Sequence, residues 1–143
     1  MSAERIYNFI KSQSYAVIST VNEASQSESA LVAFSETENL EIIFATGDQT
    51  RKIENILLNP NVSIVIGWDP EELTTVQYEG TARVLPMEMA GEYANIHYAK
   101  QPGSREHKDK PGECFVVVSP VWARYTDFGS HPEEIFEEHF GAS

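Results

Sequence analysis

Phe44-Ala45-Thr46-Gly47-Asp48-Gln49-Thr50-Arg51-Lys52-Ile53 runs from the end of an apolar segment, through a polar turn, into a helix that opens on two adjacent cations. Unpaired N–H groups and partial positive charge at a helix start favour an anion, and Thr50, Arg51 and Lys52 place a hydroxyl and two cations there. Basic residues at that end run against the helix dipole. Either they are solvated surface charges, with Glu54 as a partner, or they hold a ligand such as a phosphate.

Upstream, residues 15–21, 29–34 and 40–45 are short apolar runs rich in β-branched side chains, separated by polar turns at 22–26 and 36–39. They predict three strands in an antiparallel meander. Before them, Ile6, Phe9 and Ile10 recur at helical spacing after Ser2, which reads as the cap of a short amphipathic helix. Downstream, Ile53, Ile56 and Leu57 share one helix face, and the helix stops at Asn59-Pro60, because proline disfavours helical geometry in the residue before it. Residues 62–68 and 73–85 predict a fourth and a fifth strand, with Gly80 as a bend or bulge. A helix over 87–100 and an exposed, charged, mobile loop over 101–113 come next. A sixth strand over 115–128 carries Pro120, which implies an edge or an irregularity.

Short hairpin connections with few helices predict a mainly β fold with flanking helices: a closed or nearly closed six-stranded antiparallel barrel over about 13–128, within one domain spanning 1–143. The acidic tail, 129–143, reads as a helix starting at Pro132, with Ile135, Phe136 and Phe140 on an apolar face that docks on the barrel or on a second subunit.

Ten Lys and Arg against 22 Asp and Glu give a formal net charge of -12, a field that repels nucleic acids and anionic membranes. The single cysteine, Cys114, offers neither a disulfide framework nor a cysteine zinc cluster, and its apolar neighbours predict a buried thiol. No long apolar run predicts a membrane span, and residues 1–14 lack signal-peptide character, so the expected compartment is the cytoplasm.

The order strand, Ala-Thr, turn, Thr50-Arg51-Lys52, helix, Asn59-Pro60-Asn61-Val62-Ser63 and strand, followed by Gly80-Thr81-Ala82-Arg83-Val84-Leu85, resembles the pyridoxamine 5'-phosphate oxidase-like family of flavin-binding split barrels over residues 10–128. The resemblance implies an FMN-binding split barrel and a homodimer with FMN at the subunit interface. Carried over by position, Arg51 and Lys52 bind the flavin phosphate, Thr50 adds its hydroxyl, and Ala45 and Thr46 contact the phosphate-ribityl end. Ala30, Leu31 and Val32 line the ring system through their backbone, and Thr75 or Gln77 bonds a polar edge of the ring. Trp122 on the closing strand is a candidate to reach a neighbouring subunit's flavin, against simple packing.

The sequence also departs from the oxidase. Ala30 and Ser35 stand where the oxidase has an arginine and a lysine, and Tyr125-Thr126-Asp127-Phe128 and the acidic tail stand where it has Arg-x-His. A short general-stress-protein-like or flavin-reductase-like member fits better than the vitamin oxidase. His97, His107, His131 and His139 have no metal-ligand spacing and read as exposed or packing residues. The leading function is an FMN-dependent oxidoreductase acting on a small-molecule substrate or electron donor. The alternatives are a non-catalytic FMN carrier or sensor, and a haem- or deazaflavin-binding split barrel.

Overall fold

Period-two alternation builds most of the sheet, and the computed structural model describes residues 2–141 of it and its flanking helices. Helix α1 spans Ser2–Lys11 and buries Ile6 and Ile10 completely, with Ser2 inside the helix rather than ahead of it. The strands are β1 (Tyr15–Val21), β2 (Ser27–Ala33), β3 (Ser35–Glu36), β4 (Ile42–Gly47), β5 (Asn61–Ile66), β6 (Thr74–Pro86), β7 (Glu113–Asp127) and β8 (Glu134–His139). Helix α2 covers Arg51–Leu58 and α3 covers Glu92–Lys100, while short 3-10 turns occupy Met87–Met89 and Pro102–His107. No helix among the described residues is long and apolar enough to cross a membrane.

All pairings are antiparallel, in the order β2-β1-β5-β6-β7-β4-β3, with β8 on β7 outside that path. The order has free ends at β2 and β3, so the sheet is a curled half-barrel with eight strands rather than six. The two additional strands are β3 and the tail strand β8. The predicted helix at Pro132 is therefore corrected to a strand. The meander is also corrected: β1 and β2 form a hairpin, but β4 pairs with β3 and β7 at the far end of the sheet.

Inward-facing Ala16 and Ile18, Val62, Ile64 and Ile66, and Val76, Tyr78 and Ala82 form the main core with Val116 and Val118. Phe115 and Val117 point the other way, yet they are also fully buried, because Ile43, Ala90 and Tyr98 close a second core beneath α3. That double burial accounts for the unbroken apolar run in β7. Cys114 belongs to the main core, and burial, then Asp48 and Glu113, push its thiol up to about 11.

The longest pairing, β6 with β7, shifts register between Glu79 and Gly80: Glu79 faces Trp122, Gly80 faces Pro120, and Val121 is the extra residue. A Cβ on Gly80 would lie 2.5 Å from the Ser119 carbonyl oxygen and 2.6 Å from Val118 Cγ1, so the close approach requires glycine. Both the glycine and the proline were expected to mark an irregularity, and they face each other across it. Helix α2 ends at Asn59 as predicted and buries Ile53 and Ile56, but Leu57 is 71% exposed. The buried polar residue on this helix is Asn55.

Candidate functional site

Thr50 is extended ahead of α2, and its hydroxyl donates to the Gly47 carbonyl at 3.0 Å instead of capping the helix. The first-turn N–H groups therefore lack a side-chain cap and remain available to an anion. The Thr46 and Thr50 hydroxyls lie 3.4 Å apart. Beside this helix start is a cleft of about 120 Å³ lined by Thr20, Glu28, Ser29, Ala30, Arg51 and Lys52.

Arg51 is exposed and pairs with Glu28 rather than Glu54, with Nε 3.3 Å from Glu28 Oε1. Lys52 is half-buried, and among the described residues it has no hydrogen-bonding or ion-pair partner. Glu28 Oε1 also accepts from Asn55 Nδ2 at 2.8 Å, and Oε2 accepts from Asn22 Nδ2 at 3.0 Å. The Asn55 amide, then the Asn22 amide and the Arg51 charge, hold the Glu28 carboxyl below the ordinary carboxylate range. Thr20, Glu28, Asn22 and Asn55 escaped the sequence reading. A signal existed for Glu28: it alternates with Ala30 and Val32, so the strand period turns it toward the same side as those apolar residues.

Of the predicted site residues, the cleft brings together Ala30, Arg51 and Lys52. Thr46 and Thr50 adjoin the helix start, whereas Ala45 packs against the core beneath α3. Val32 packs against the main core, while Leu31, next to it, faces outward and is 63% exposed. Gln77 is exposed on the same outer face, in a row through Val17, Val65 and Arg124. Thr75 is half-buried and donates to the Ile66 carbonyl at 3.2 Å. Trp122 Nε1 donates to Glu137 Oε1 at 2.6 Å, across the β7–β8 pairing. The predicted set thus divides among the cleft and its adjoining helix start, the outer sheet face, and, for Val32 and Ala45, the two cores.

His97 is fully buried, its Nδ1 2.8 Å from the Ser35 hydroxyl and its Nε2 3.2 Å from the Ser104 hydroxyl. Both ring nitrogens are thereby engaged. Burial, with the nearby Lys100 charge, pulls its pKa down to about 4. Among the described residues, no three His, Cys, Asp or Glu side chains converge as metal ligands.

The family model described as pyridoxamine 5'-phosphate oxidase matches residues 2–127. No curated protein matches the chain. Among solved structures, the fold resembles a heme binding protein from Mycobacterium smegmatis with a TM-score of 0.80 at 17% identity, over 97% of this chain. The chain spans 58% of the length of that protein. It also resembles general stress protein 26 from Bacillus anthracis, with a TM-score of 0.73 and 23% identity over 96% of this chain and 98% of the other. A pyridoxamine 5'-phosphate oxidase-related, FMN binding protein from Nostoc punctiforme has a TM-score of 0.64 at 12% identity, over 99% of this chain and 94% of its own. At these identities the likenesses speak to fold alone.

Proposed function

The chain belongs to the pyridoxamine 5'-phosphate oxidase family, and on that premise we propose that it is a cytoplasmic FMN-dependent oxidoreductase whose cofactor phosphate sits between β2 and the start of α2. The observation that carries this reading is Lys52: a half-buried cation without a partner among the described residues, lining a cleft beside an uncapped helix start. That donor set suits a phosphate, and the Thr46 and Thr50 hydroxyls adjoin it. Bound FMN would supply the electron or hydride transfer. The chain's part is to hold the phosphate through Lys52 and the first-turn N–H groups and to border the flavin with the β2 backbone around Ala30.

Leu31, Gln77 and Trp122 do not line this cleft, and we assign them to an interface with a second copy. Tyr15 is 49%, Leu31 63% and Val65 42% exposed, an apolar patch on one sheet face that a homodimer would cover. Light scattering is expected to report a dimer at working concentration, and a monomer would remove the interface. A cofactor shared across that interface would draw Gln77, Thr75 and Trp122 from the partner copy.

The substrate class proposed is a small molecule other than the oxidase's vitamin. Ser35, which stands where the oxidase has a lysine, is buried and committed to His97, so fewer cations surround the flavin. FMN titration followed by flavin fluorescence tests the reading. Lys52→Ala is expected to weaken FMN binding by about 1.5–3 kcal/mol, the range for a hydrogen bond to a charged group. Unchanged affinity would remove Lys52 from the site. Reduction of bound flavin by NADH or NADPH, with onward transfer to an acceptor, separates an oxidoreductase from a carrier or sensor.

A further inference from the structure

Glu28 places a carboxylate in the same cleft as the cations proposed to hold a phosphate, and the inference drawn from it rests on that reading. The carboxylate is fixed from both sides. Asn55, only 4% exposed, donates to Oε1 and also to the Thr20 hydroxyl at 2.9 Å. Asn22, which donates to Oε2, is itself held by backbone N–H groups of Ala24 and Gln26, at 2.9 and 3.0 Å on its Oδ1. A carboxylate tied to a hairpin turn on one side and a buried helix residue on the other does not swing away freely. Arg51, by contrast, is a long exposed side chain on the first residue of α2, and its contact with Glu28 is an ion pair with Nε 3.3 Å from Oε1.

We propose that Glu28 is a specificity-determining residue that competes with the ligand phosphate for Arg51 and so sets how strongly the cleft distinguishes phosphorylated from unphosphorylated flavin. Two cations facing one fixed carboxylate leave a single net positive charge for the incoming phosphate, where the cations alone would leave two. When the phosphate enters, Arg51 exchanges one anionic partner for another, so its net contribution is small. Lys52 has no such exchange to make and carries the larger share. The oxidase-like arginine absent at Ala30 is not replaced by Arg51, because Glu28 already draws on that guanidinium.

The test is binding of FMN and of riboflavin, measured by fluorescence titration, to the wild type, Glu28→Gln, Arg51→Ala and the double variant. Glu28→Gln is expected to tighten FMN on the order of tenfold, while riboflavin stays within about twofold. Arg51→Ala is expected to weaken FMN by less than about threefold in the wild type but by about tenfold in the Glu28→Gln background, the signature of competition. Thermal melts of each variant verify folding, and Glu28→Ala repeats the comparison should the glutamine amide disturb Asn22. Unchanged or weaker FMN binding in both Glu28 variants would overturn the proposal, as would an equal gain for riboflavin. Failure of both flavins to bind any of the proteins would remove the flavin reading of the cleft, and this inference with it.

Discussion

Glu36→Ala is expected to destabilise the protein by about 3–5 kcal/mol, because it leaves the Lys100 ammonium without its partner in a largely dry setting. Glu36 ends β3 and Lys100 ends α3, and their side chains, 8% and 18% exposed, form a direct ion pair. The ammonium lies 4.2 Å from the centroid of the Phe34 ring and also donates to the Ile10 carbonyl at 3.4 Å. One cation therefore joins α1, the β2–β3 corner and α3. Burial already lowers the Lys100 pKa, and the hydrogen bond to Glu36 and its charge oppose that shift. Urea unfolding of Glu36→Ala and of Glu36→Ala/Lys100→Met checks the argument. The double variant should recover most of the loss, since replacing both charges with apolar groups removes the unpaired ion. A single-variant loss below 1 kcal/mol, or no recovery in the double variant, would contradict it.

Stability is expected to fall by about 3 kcal/mol between pH 6.5 and 4 through His97 alone. In the unfolded chain this imidazole protonates near 6.5, whereas in the folded protein it stays neutral down to about 4. The unfolded state thus binds more protons throughout that window, and stability drops by up to about 1.4 kcal/mol per pH unit as acid is added. Below the folded value the two states bind equally and the loss levels off. His97→Gln, which cannot titrate, should show a shallower decline over the same range in parallel urea titrations. Coincident pH dependence in the two proteins would show that His97 is not the group responsible.

The sequence made some of this structure readable because the causes are local. Proline at 60 ended α2, the apolar run at 115–118 made a strand, and Gly80 and Pro120 marked an irregularity that β6 and β7 share. The tail was misread for a non-local reason. Glu134–His139 is rich in helix-forming glutamate, yet its alternating burial follows a strand period, because Phe136 stacks on Tyr125 at 4.7 Å and the segment pairs with Trp122–Asp127 of β7. Nothing near Phe136 in the chain announces that edge. The site was legible at its cations and not at its carboxylate. Arg51 and Lys52 are adjacent in sequence, whereas Glu28, Asn22 and Asn55 meet only once the β1–β2 hairpin is laid against α2. Ser35 and His97, 62 residues apart, are likewise partners only in the fold.

The single extra residue at Val121 decides more than the local pairing. In the first half of β7 the even-numbered Cys114, Val116 and Val118 belong to the main core, and in the second half the odd-numbered Ala123 and Tyr125 do. The strand inverts its parity at Val121, so one continuous segment of chain obeys two opposite inside-outside codes. Were Val121 paired in the ladder instead of bulged out, the even code of the first half would run on and put Trp122 and Arg124 at the core in place of Ala123 and Tyr125, carrying β8 with them. The outer face that holds Trp122 and Arg124 beside Glu79 and Gln77 is therefore a product of one unpaired valine, and a single residue left out of the ladder sets the surface that half of the strand presents.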